Sequence, residues 1–145
     1  MRRCIVGAGL ALLAVCSTGN AADPRYNYVL HCVGCHTFEG VSPPLGRIPP
    51  LKGVVGHFAR SQAARRYIAN VPGIKNSGLS PDDTAALINW LIEVYGEESR
   101  PETWTPFTGD EIVAWRKDVP DNVMDLRRTA RVDLEFMGFD IGRYP

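Results

Sequence analysis

The chain has 145 residues, with 16 basic and 16 acidic side chains and a formal net charge of zero. A balanced charge without a basic-aromatic motif argues against nucleic acid as a partner, and beyond the N-terminus no stretch is long and apolar enough to span a bilayer. The length suits one small domain.

The opening residues read as a secretory leader over residues 1–22. Arg2 and Arg3 precede an apolar run from Ile5 to Val15, and small residues lead to Ala21 and Ala22. The run is shorter than the roughly 20 residues a spanning helix requires, so cleavage is expected and no transmembrane segment should remain. Two features compete with this reading: Cys16 after "LLAV" suggests lipid attachment, and "RRCIV" suggests a twin-arginine signal. Export implies an oxidising compartment. It also removes Cys4 and Cys16, which leaves one pair of thiols, Cys32 and Cys35.

Asp23 and Pro24 supply a cap and a first helical position for a helix running through Tyr28 and Leu30, with Tyr26, Val29, Leu30 and Val33 as its apolar face. This helix leads into "CVGCH", Cys32 to His36. A disulfide across so small a loop would add little stability. A thioredoxin-like pair would follow a strand, and none precedes it. Zinc would need a fourth ligand beside Cys32, Cys35 and His36, and the other histidines are His31 and His57. The remaining reading is covalent haem attachment, the two thiols adding across the porphyrin vinyl groups and His36 binding the iron.

Further along, "HFARSQAARRYIANV" is helix-like, with Phe58, Tyr67 and Ile68 facing inward. "LSPDDTAALINWLIEVYG" begins with a strong start signal: Ser80 as N-cap, Pro81 at the first position, and Asp83 reaching back. Leu87, Trp90, Leu91 and Val94 then recur at helical spacing until Gly96. "RPETWTP" reads as a linker into the C-terminal portion. There Thr108 and Glu111 form a capping-box signal for a helix through Ile112 to Lys117, and a second helix is expected from about Asp121 to Phe136. Trp104, Phe107, Trp115 and Phe136 are too many large apolar groups to leave in water, so this portion should wrap the core or form a partner surface. No alternating strand pattern is evident, which makes the fold all-α.

With "CVGCH", a loop bearing Pro49, Pro50 and Leu51, and the helix after Ser80, the stretch from Tyr26 to Tyr95 resembles the monohaem c-type cytochromes of the class I fold. The resemblance implies one haem c attached through Cys32 and Cys35, with His36 as its proximal metal ligand. It also implies a proline carbonyl that accepts a hydrogen bond from that imidazole and a following leucine packed on the ring. "RRYIANVPG" followed by "LSPDDTAALINWL" is similar, more narrowly, to small periplasmic cytochromes of methylotrophic and amine or alcohol oxidation systems. One feature departs from the family: Val71 stands where a methionine commonly provides the sixth ligand. His57, Met124 and Met137 are the candidates to replace it, or the distal side is open; His31 points the wrong way.

The expected organisation is therefore a leader (1–22), a cytochrome domain (23–99) and a helical extension (100–145) packed on it. The expected function is a periplasmic carrier of single electrons between a dehydrogenase and a terminal acceptor, with no catalytic residue of its own. Two alternatives are a haem protein with an open distal site that binds small ligands or reduces peroxide, and a cytochrome subunit of a larger dehydrogenase. Without the leader the count is fourteen basic against sixteen acidic residues. Arg47, Lys52, Arg60, Arg65, Arg66 and Lys75 lie between Gly40 and Pro81 without an acid, while eight acids and only Arg100 lie between Asp82 and Glu111. The basic segment either forms a solvated face or steers an acidic redox partner.

Overall fold

The computed structural model describes residues 22–41 and 48–142. The leader, apart from Ala22, and Arg47 lie outside the described residues. Seven α-helices and one short 3-10 helix make up the regular structure described, with no strand among the described residues.

Helix α1 (Pro24–His31) starts on Asp23, whose side chain accepts from the Arg25 amide at 2.9 Å. Helix α2 (Val33–His36) continues it across Cys32. The Cys32 amide still reaches the Tyr28 carbonyl at 2.9 Å, and the His36 amide reaches the Cys32 carbonyl at 2.9 Å. Thr37, at φ 55°, turns the chain out of α2.

The buried face of α1 differs from the expectation. Tyr28 and Asn27 are buried, whereas Tyr26, Val29 and Leu30 are exposed and only Val33 packs against the core. A helix of two turns can offer one side, and Tyr28 takes it because its hydroxyl finds an acceptor in the Thr37 carbonyl. Its ring sits 5.3 Å from Trp90 and 5.4 Å from Tyr95, and this cluster holds α1 on the later helix that carries both aromatics.

The middle segment is two pieces rather than one helix. A 3-10 helix (Val55–Ala59) ends at Arg60, and α3 (Gln62–Asn70) restarts with Ser61 as N-cap, its side chain accepting from the Ala64 amide. Phe58, Tyr67 and Ile68 face inward as expected. After the short α4 (Pro72–Lys75), α5 (Pro81–Tyr95) runs from its Ser80 cap to Gly96. Its buried stripe is Thr84, Ala85, Leu87, Ile88, Leu91, Ile92 and Tyr95. Val94, expected inside, is exposed. The stripe centres on the 84, 88, 91, 95 spacing, and Val94 falls at its margin in the last turn.

The capping box on Thr108 and Glu111 is formed and opens α6 (Gly109–Lys117), while Asn122 caps α7 (Val123–Phe136). Helix α6 packs on α5 and α3, and α7 packs on α3. Ile112, Leu126, Ala130 and Leu134 join the same buried cluster as α5. Phe107 is buried, and Trp104 and Trp115 are partly buried against the core. Phe136, expected to be covered, is 94% exposed. It lies in the last turn, off the Ala130–Leu134 side that meets α3.

Candidate functional site

A cavity of about 340 Å³ lies between α2 and the helices that follow. One wall brings together Cys32, Cys35 and His36 with Pro49, Pro50 and Leu51. The lining also draws on α3, the turn after it, and α7, with Tyr67, Val71, Met124 and Arg127. All three residues of the "CVGCH" motif that carry donor atoms therefore open onto one space lined mainly by apolar side chains.

Both cysteines are free thiols, Cys32 buried and Cys35 exposed. Burial, with a smaller contribution from neighbouring Cys35, pushes the Cys32 thiol up to about 11, so it is neutral at physiological pH. Burial also lowers the His36 imidazole below its ordinary value, and the Pro49 backbone carbonyl opposes part of that shift. The ring is thereby neutral, the form in which a nitrogen lone pair can bind a metal. Its Nδ1 is buried without a formed hydrogen bond, although the Pro49 carbonyl lies close by to receive one. A ligand that fixed the ring through Nε2 would settle that orientation. Two thiols and a neutral imidazole on the rim of an apolar cavity fit a large flat metal-bearing cofactor.

The chain is similar to cytochrome c-552 of Thermus thermophilus. That protein is 27% identical over 117 residues, spanning 67% of this chain and 88% of its own length. A second cytochrome c-552, from a further strain of the same organism, is also 27% identical over 117 residues and is covered over 78% of its length. No protein-family model matches the chain, and no solved structure matches it. The likeness supports a monohaem c-type cytochrome, and the helical architecture is that of the class I cytochrome c fold.

The residues expected as candidates for the sixth ligand separate clearly by position. Val71 lines the cavity with a side chain that has no donor atom. His57 lies outside the cavity lining; its Nδ1 accepts from Arg60 Nε at 3.4 Å and its ring sits 5.0 Å from Phe139. Burial, then the charge of Arg60, lowers its pKa. Met137 lies beyond the end of α7, 46% exposed and away from the cavity. Met124 lines the cavity. His31, expected to point the wrong way, also lies in the lining, exposed and next to Cys32.

Arg127 is a site residue that the sequence did not single out, and Tyr67, expected only to face inward, is its partner there. Arg127 is buried in the cavity wall, its Nη1 donating to the Tyr67 hydroxyl at 3.2 Å and its Nη2 to the Gly142 carbonyl at 3.0 Å. The available signal was positional: Val123, Met124 and Arg127 share one side of a helix at i, i+1 and i+4.

Proposed function

We propose that the chain is a one-electron carrier whose haem c is held by thioether bonds from Cys32 and Cys35 and by His36 on the iron. The observation that carries this reading is the opening of both thiols and the imidazole onto one apolar cavity; the likeness to cytochrome c-552 supports it independently. The haem would supply the reversible ferrous–ferric couple. The chain's own part is to place a neutral imidazole at the cavity wall, orient it toward the Pro49 carbonyl, and keep water from the centre with Leu51, Ile68 and Leu91.

The proposed setting is the periplasm, with a dehydrogenase as donor and a terminal acceptor beyond it, in the manner of the methylotrophic and amine or alcohol oxidation systems that the sequence resembles. Several residues of the basic segment are engaged within the fold. Arg65 pairs with Glu111, Arg60 donates to the Ser99 carbonyl, and Arg66 donates to the Asp118 carbonyl. Lys52 and Lys75 remain exposed to meet an acidic partner.

The test is to export the chain from a host equipped for c-type haem maturation and weigh the product. One added haem is expected, and it should be lost in a Cys32→Ser/Cys35→Ser variant. A purified chain of unmodified mass would overturn the proposal.

A further inference from the structure

We propose that the sixth iron ligand is the thioether sulfur of Met124, supplied by α7 from the C-terminal extension rather than by the loop before α5. The inference rests on the haem reading above. Within the cavity lining, side-chain atoms with a lone pair free to bind a metal are few. Cys32, Cys35 and His36 belong to the attachment wall, and His31 sits on the same helical segment, exposed. The guanidinium of Arg127 is a cation and donates only. The Tyr67 hydroxyl already accepts from Arg127. Val71 occupies the loop position with hydrocarbon alone. This leaves the sulfur of Met124, a neutral soft donor suited to low-spin iron.

The fold brings it to the cavity from a separate element: the main neighbour of α2 is α1, whereas that of α7 is α3, so His36 and Met124 enter the same lining from helices that are not each other's main partners. The position is also built. Met124 lies in the first turn of α7, where the Asn122 side chain accepts from its amide at 3.0 Å. One turn on, Arg127 anchors the same side of the helix to Tyr67 of α3. The first turn of α7 is thus fixed from both ends, and the methionine between them is half-buried. No unpaired charge is required.

The test compares the purified holoprotein with its Met124→Leu and Met137→Leu variants, each first weighed for attached haem. In ferrous proton spectra a methionine methyl bound to low-spin haem iron is carried far upfield by the ring current. That resonance is expected in the wild type and in Met137→Leu. It should be lost in Met124→Leu, which should also bind carbon monoxide and show a lower reduction potential. A haem-bearing wild type without the shifted methyl would overturn the assignment without reference to any variant. So would a haem-bearing Met124→Leu that keeps the resonance. A wild type that carries no haem would remove the haem reading itself, and the assignment with it.

Discussion

Tyr28 is 1% exposed, its hydroxyl bonded to the Thr37 carbonyl and its ring against Trp90 and Tyr95. Burial, then the neighbouring Tyr95, raises its pKa well above the ordinary 10.0. A folded-state pKa above the unfolded one means that the native chain holds this proton more tightly. The resulting stability is complete below pH about 10 and is lost as pH rises beyond it. Tyr28→Phe should cost about 1–2 kcal/mol near neutrality through the lost hydrogen bond. Its urea midpoint should then fall less steeply than that of the wild type above pH about 10; parallel curves would refute this. At this scale the sequence marked what is contiguous: Cys32, Cys35 and His36, grouped by their spacing, open onto one cavity. It was silent where a residue's role depends on distant chain. Arg65 reads as one basic residue among six, yet its guanidinium lies 3.8 Å over the Phe107 ring, bonds the Thr105 carbonyl at 2.7 Å and pairs with Glu111 at 2.9 Å. No local pattern signals such a clamp.

Helix starts were the most readable elements, because a cap is a local arrangement between one side chain and an amide two or three residues on. Ser80, Thr108 and Asp23 all cap as expected. Which face a short helix buries was less readable, and α1 shows why: its apolar residues at 26, 29 and 30 lie on the side opposite the neighbour that α5 provides. Equally hidden was the crossing of the 3-10 helix over the end of α5. A Cβ placed on Gly56 would sit 2.5 Å from the Gly96 carbonyl oxygen and would also strike the Arg100 amide nitrogen, and both obstacles are backbone. The Gly56 amide donates to Ser99 Oγ at 3.1 Å within the same contact. Gly56→Ala should therefore destabilise the fold by about 2–3 kcal/mol, whereas Gly34→Ala, with nothing within 4 Å, should change little through contact. Thermal melting of the two variants side by side checks the difference.

For the molecule as a whole, the extension is part of the core rather than an appendage to it. Asn89 of α5 clasps the Phe107 backbone with two hydrogen bonds, at 2.7 and 3.0 Å, and α7 completes the cavity wall. Without a group to fill it, this cavity would leave Leu51, Val54, Phe58, Ile68 and Leu91 facing water instead of packing. The Cys32→Ser/Cys35→Ser chain should therefore show little helical circular dichroism and no cooperative melt; a sharply melting helical product would contradict this.

Because α7 closes the space that Cys32 and Cys35 face, the timing of biosynthesis matters. A chain exported unfolded, as the leader reading implies, arrives with Cys32 and Cys35 accessible and α7 not yet docked. A bulky planar guest has its easiest access during that interval. On the haem reading proposed above, maturation should accordingly favour the unfolded polypeptide, and a variant whose α7 docks faster should ripen less completely.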